Sequence, residues 1–167
     1  LENSGLLPDE IDLIIVSSVS SNLVLPSTAC FVQKAINAKN AFCFDINVAC
    51  TGFITAYNIS QTFINTGLIN TALIIGAESL SKITDWSDRK TCILFGDGAG
   101  SVVIKKDENA MFETVMFSNG KNGDALTMEN PFALRKTNLG KNHQGQFDIA
   151  FQDIQKTYIN MDGGEIF

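Results

Sequence analysis

One short stretch carries the residues best suited to chemistry: "DINVACTGF", Asp45 to Phe53. Apolar and polar residues alternate up to Cys50, then Gly52 breaks in and a helical pattern begins. A thiol at such a junction faces unpaired backbone N–H groups and the positive end of a helix dipole, and both favour the thiolate. Settings of this kind bring a cysteine pKa to between ~3.5 and ~7.5, which makes a usable nucleophile at neutral pH. Ala49, Thr51 and Gly52 are small and leave room for a substrate. The other reading of Cys50 is a buried small hydrophobe that closes the strand.

Three further groups invite a chemical reading. Gly96, Gly98 and Gly100 in "FGDGAGSVVI" suggest a phosphate cradle, but that needs a helix N-terminus directly after the glycines. A β-branched run, Ser101 to Ile104, follows instead, so a tight strand-to-strand connection with close backbone packing is expected. Arg89 and Trp86 share "TDWSDRKT", where a cation and an aromatic ring could grip a nucleotide. The plainer alternative pairs Arg89 with Asp85 or Asp88 in a surface contact worth little. His143, the sole histidine, lies in a polar segment and reads as a solvated loop residue, although a Cys–His pair needs only spatial proximity.

The elements that must position these residues alternate over the first hundred positions. "DLIIVSSVS" reads as a buried strand, and Pro26-Ser27 starts a helix on which Phe31, Val32, Ala35 and Ile36 repeat. "AFCFDINVA" is a second strand. From Thr51 to Thr66 the set Phe53, Ala56, Tyr57, Ile59, Phe63 and Ile64 makes one helical face. Thr55, Asn58, Gln61, Thr62 and Asn65 make the opposite, polar face, and Gly67 is placed to stop the helix. "TALIIGAE" is nearly all apolar, as befits a strand covered on both faces. Right-handed crossovers then put helices on the faces of a parallel sheet. "TCILFG", "SVVIKK" and "ETVMFS" follow without a long helix between them and are expected to add antiparallel strands. Residues 119–145 are polar and rich in Gly and Asn, a loop or excursion. "LENSG" at the start looks like the tail of a helix ending near Gly5.

Composition bounds the partners. The 167 residues suffice for one domain with a core, or part of a larger one. A net charge of −6 with scattered Lys and Arg argues against nucleic acid or an anionic membrane. No apolar run approaches the ~20 residues that span a bilayer. Cys30, Cys43, Cys50 and Cys92 lack C-x-x-C spacing and nearby histidines, which suits reduced thiols in a cytoplasmic protein and argues against a zinc site.

Taken in order, "DINVACTGF", "TALIIGAES", "SDRKT" and "FGDGAGSVVI" resemble the N-terminal half of β-ketoacyl-acyl-carrier-protein synthase III, a condensing enzyme that starts fatty-acid synthesis. The likeness runs from about residue 13 to 104 and returns faintly at "NMDGGEIF". A-C-x-G-F is shared with other condensing enzymes, whereas its combination with D-R-x-T and F-G-D-G-A-G is more specific.

The resemblance implies a thiolase-like α/β fold with a mixed, mostly parallel sheet and helices on both faces. It divides the chain into residues 1–118, the N-terminal half lacking its first strand, and 119–167, an excursion and junction toward a second half. It matches Cys50 to the nucleophile that takes an acyl group from acyl-coenzyme A, before condensation with malonyl-acyl carrier protein and loss of CO₂. The coenzyme A thioester is a substrate, and no cofactor or metal is implied. Arg89 matches a residue touching the coenzyme A nucleotide, and Phe95 an aromatic lining the site. Leu25 stands where many relatives carry phenylalanine, a residue that crosses a homodimer interface and shapes the neighbour's acyl pocket. The family's decarboxylating His and Asn belong to its second half. His143-Gln144 echoes a motif there, but Gly145-Gln146 follow and the role is not carried over. This chain by itself is therefore expected not to complete the condensation. Alternatives are another thiolase-like acyl transfer, of polyketide type or to a different acceptor, and a non-catalytic half that binds coenzyme A.

Overall fold

The computed structural model describes residues 1–110, 112–130 and 157–166. Two compact units divide the chain: Leu1–Lys82 with Gly96–Phe117, and Ile83–Phe95 with the described part of Ser118–Phe167.

In the first unit, β1 (Leu13–Ser17), α1 (Thr28–Ile36), β2 (Phe42–Ile46), α2 (Gly52–Asn65), β3 (Thr71–Ser79) and β4 (Asp97–Lys105) follow one another. The sheet order is β2-β1-β3-β4. β1 runs parallel to β2 and to β3, with Ser17 opposite Ile46 and Gly76. β4 lies antiparallel to β3, from Thr71↔Lys105 to Ser79↔Asp97. Side chains alternate along a strand, so β1 feeds two cores. Ile14 and Val16 pack with Ala29 of α1, Ala38, Ala41 and Leu73. Leu13 and Ile15 pack with Ala56 and Ile64 of α2, Ile69, Ala72 and Ile74. Helices therefore cover both faces, as the strand–helix alternation requires.

The helix ends have identifiable causes. Ser27 precedes α1, and Asp45 of β2 accepts hydrogen bonds from the N–H groups of Thr28 (2.5 Å) and Ala29 (2.8 Å). Two of the four orphan donors at that terminus thus meet a carboxylate, which also suits the helix dipole. Asn37, at φ 60°, ends α1. Gly67, at φ 76°, ends α2, with Leu68 N–H donating to the Phe63 carbonyl. At the amino end of the chain, a 3₁₀ turn over Glu2–Ser4 closes on Gly5 at φ 68°.

Four expectations need correction. "TCILFG" is a turn: the N–H groups of Thr91 and Cys92 donate to the Asp88 carbonyl, and Thr91 Oγ1 donates to the Asp88 carboxylate, so local partners replace a ladder. The glycines after it belong to β4 itself, Gly98 opposite Glu78 and Gly100 opposite Gly76. A Cβ on Gly96, Gly98 or Gly100 would meet nothing within 4 Å among the described residues, so close packing is not what places glycine there. "ETVMFS" is irregular, with Val115 and Phe117 exposed. Asn58 and Ser60 of α2 are buried, so the covered stripe is wider than its apolar residues outline.

The second unit pairs β5 (Leu126–Thr127) with β6 (Asn160–Met161), preceded by a 3₁₀ segment over Gly120–Ala125 and followed by the short α3 (Gly163–Ile166). Ile159 N–H donates to the Ile83 carbonyl at 2.9 Å. His143 lies outside the described residues. Among the described residues no helix is long and apolar enough to cross a membrane.

Candidate active site

The three parallel strands end on one edge of the sheet, at Ser17, Ile46 and Ser79. After β1 the chain turns back through α1 to β2, and after β2 it crosses through α2 to β3 on the other side of β1. The edge between β1 and β3 is the switch point at which open α/β sheets form ligand crevices. Cys50 follows β2 on this edge, in a single 3₁₀ turn, Ala49–Thr51, that leads directly into α2.

Three observations define the thiol's setting. First, Cys50 is exposed, whereas Cys30, Cys43 and Cys92 are half-buried. Among the described residues nothing buries Cys50 as a strand cap. Second, Ala49 holds φ 45°, in the left-handed region that side chains rarely adopt. Such a conformation costs on the order of 1–3 kcal/mol and is found most often at functional sites. Third, Gly52 seats α2 on β1, since a Cβ there would overlap the Ser17 side chain. Thr51 Oγ1 donates to the Val48 carbonyl at 3.1 Å and tightens the turn. Phe53 lies over Gly76 of β3, in ordinary van der Waals contact with where a Cβ would be.

The other thiols are set up differently. Burial, and then Cys30 and Asp45 beside it, push the Cys43 thiol from its ordinary 9.0 up to about 11. Cys30 Sγ accepts a hydrogen bond from Ser27 Oγ at 3.1 Å.

The first unit also holds Leu25, which is 82 % exposed at the tip of the loop between β1 and α1, beside the exposed Leu23 and Val24. A cavity of about 500 Å³ opens under this loop. Val16 and Ser18 from the end of β1, Glu78 and Ser79 from the end of β3, and Leu23 line it, while Cys50 does not. Glu78 was not among the residues that spacing singles out. Its only signal in the sequence is a lone carboxylate closing the apolar run "TALIIGAE".

Arg89 and Phe95 belong to the second unit. Arg89 is exposed, as is Trp86 in the same loop. The Asp85 carboxylate accepts from Ser87 N–H and Oγ, which holds it below the usual carboxylate range. Asp88 accepts from Lys90 N–H and Thr91 Oγ1. Among the described residues neither carboxylate forms an ion pair with Arg89. Phe95 is half-buried.

Comparison with known proteins bears on the family and the fold. A family model described as 3-oxoacyl-[acyl-carrier-protein (ACP)] synthase III matches residues 44–120. The chain is similar to a beta-ketoacyl-[acyl-carrier-protein] synthase III of Clostridium acetobutylicum, 45% identical over 173 residues that cover 100% of this chain and 48% of that protein. A protein of the same name from Clostridium perfringens is 44% identical over 169 residues, covering 100% and 49%. The chain spans about half the length of the curated relatives it matches. Among solved structures, 3-oxoacyl-[acyl-carrier-protein] synthase III from Aquifex aeolicus aligns with a TM-score of 0.77 at 38% identity, over 99% of this chain and 46% of that one. A priming beta-ketosynthase from a polyketide pathway aligns with a TM-score of 0.81 at 26% identity, over 99% and 46%. The fold is thiolase-like α/β.

Proposed function

Because the chain belongs to the 3-oxoacyl-[acyl-carrier-protein] synthase III family, we propose that the whole protein loads an acyl group from acyl-coenzyme A onto Cys50 and condenses it with malonyl-acyl carrier protein to initiate fatty-acid synthesis. The observation that carries the proposal is the exposed thiol in the turn that opens α2.

The chemistry follows from that position. The Cys50 thiolate adds to the thioester carbonyl, and the coenzyme A sulfur leaves as its thiolate and takes a proton. The acyl group is then a thioester of Cys50. Malonyl-carrier protein loses CO₂, and the carbanion formed attacks the same carbonyl. The new C–C bond forms as the C–S bond breaks, which returns the Cys50 thiolate. In both steps charge develops on the carbonyl oxygen. The backbone N–H of Cys50, in the turn ahead of the helix, is one of the two donors that would stabilise it. The His and Asn that assist decarboxylation in the family belong to its second half, so loading is the part assigned to this chain.

Arg89, exposed beside Trp86, is assigned to the nucleotide of coenzyme A, and Phe95 to the site wall. The protein is assigned to the cytoplasm as a homodimer. Two features support association. Among the described residues β2 is one of the two edge strands of its sheet, with Phe42 43 % exposed and its ring 6.2 Å from that of Phe44. Unpaired edges of this kind invite pairing with another chain. The second feature is the apolar tip Leu23–Leu25. Leu25 is assigned to the neighbour's acyl pocket, where it limits chain length.

Intact-mass measurement after incubation with acetyl-coenzyme A tests the reading. A gain of one acetyl group, absent in Cys50→Ala, is expected. Labelling that survives Cys50→Ala would overturn it.

A further inference from the structure

The loop that presents Leu25 is held at its base by one carboxylate from a different strand. Glu78 accepts hydrogen bonds from Val19 N–H at 3.0 and 3.3 Å, one to each oxygen, and from Ser20 Oγ at 2.5 Å. Ser20 Oγ in turn accepts from Ser79 N–H at 2.7 Å, closing a ring between the end of β3 and the start of the loop. Two more ties follow along the loop. Lys82 Nζ donates to Asn22 Oδ1 at 2.5 Å, and the hydroxyls of Ser21 and Thr28 lie 3.1 Å apart. Between the tie at Asn22 and the first residue of α1, the chain has only five residues in which to place the tip. Leu23, Val24 and Leu25 within that span are 52, 72 and 82 % exposed.

We propose that Glu78 is a positioning residue: by fixing Val19 and Ser20 it sets how far Leu25 reaches, and through Leu25 the length of acyl chain the protein accepts. The inference rests on the assignment of Leu25 to an acyl pocket made above. The physical basis is that bonds to an ionised acceptor are about twice as strong as neutral ones. A carboxylate that accepts from one backbone N–H and one hydroxyl therefore fixes the base of a loop whose tip is exposed. Glu78 and Leu23 both line the cavity beneath the loop, so slack at the base changes the shape of a space on the crevice edge of the sheet.

The test uses the full-length protein and the variants Glu78→Ala, Glu78→Gln, Ser20→Ala and Leu25→Ala. The readouts are the ratio of kcat/KM for acetyl- against octanoyl-coenzyme A and hydrogen exchange of the amides of residues 19–25. Glu78→Ala is expected to change the ratio by about tenfold, the low end of the scale on which one methylene is discriminated. It should also raise exchange in the loop about tenfold. Glu78→Gln retains an oxygen for Val19 N–H but loses the charge and the second acceptor, so both readouts should fall between the parent and Glu78→Ala. If Glu78→Ala does not fold, Ser20→Ala, which removes one side of the ring, should shift both readouts in the same direction. Unchanged loop exchange in the folded Glu78 or Ser20 variant overturns the inference. So does an unchanged ratio where Leu25→Ala alters it, with the Leu25 assignment intact. Equal effects of Gln and Ala overturn the role given to acceptor geometry. An unchanged ratio in Leu25→Ala removes the assignment of Leu25 itself, and the inference with it.

Discussion

Gly52, the first residue of α2, lies so close to Ser17 at the end of β1 that a Cβ on it would occupy the place of the Ser17 hydroxyl. This contact sets the height of α2 on the sheet, and so the place of the turn in which Cys50 sits two residues earlier. Ser17 is itself 4 % exposed and cannot swing into solvent to make room.

Gly52→Ala should therefore destabilise the protein by about 1–3 kcal/mol, the usual cost of overpacking. The same change should slow acylation of Cys50. Ser17→Gly removes the obstructing atoms, and the double variant should recover most of the loss. Denaturant melts of the four proteins in the cycle measure it. Additive losses would show that the two residues do not collide.

The thiols should separate by pH. With its thiol at about 11, Cys43 holds on the order of 0.1% thiolate at pH 8, while the exposed Cys50 faces reagent directly. Iodoacetamide at pH 8, read by peptide mass, should label Cys50 first and Cys43 far later. The sign of the linked stability follows from the same shift. The folded chain holds the Cys43 proton more tightly than the unfolded chain, so this contribution is complete below pH 9 and lost as pH rises through about 11. A melting temperature that rose from pH 9 to 10.5 through Cys43, judged against Cys43→Ala, would contradict it.

Asp45 supplies acceptors to Thr28 and Ala29 from another element, a helix cap built without a capping side chain on Ser27. Asp45→Ala should cost about 1–2 kcal/mol, as the loss of a good N-cap does. Hydrogen exchange should localise the damage to the first turn of α1. Asp45→Asn keeps one acceptor and should cost less. Unchanged protection at Thr28 and Ala29 would show the cap to be dispensable.

Arg89 is assigned to a coenzyme A nucleotide, which makes uniform contact before and during the reaction. Arg89→Ala should raise KM for acetyl-coenzyme A about tenfold and leave kcat within about twofold. A fall in kcat with KM unchanged would place Arg89 at the reacting carbonyl instead.

Much of the fold is legible in the chain because its determinants are local. Alternation and β-branched residues mark β1, β2 and β3, and the stripe from Phe53 to Ile64 marks α2. Where the reading failed, a competing local bond or a distant neighbour decided. The β-like composition of "TCILFG" lost to Asp88, whose carbonyl and carboxylate collect the nearby donors. The glycines of β4 read as a connection, yet pairing with β3 from Gly76 to Ser79 extends the strand through them. Asn58 has a polar side chain on the expected outer face, and the packing around α2 covers it.

Sequence by itself determined that a cysteine stands where a strand hands over to a helix, because periodicity, small residues and a helix start are all written within a few positions. Only the tertiary structure decided that this thiol is open while Cys43 is not, that Gly52 must yield its space to Ser17, and that Glu78 holds the loop of Leu25. Exposure is a property of whatever packs nearby, and the partners of Glu78 lie 58 and 59 residues away in the chain. Contacts over such separations leave no periodic trace, since each is made by a single residue that the fold alone brings within reach.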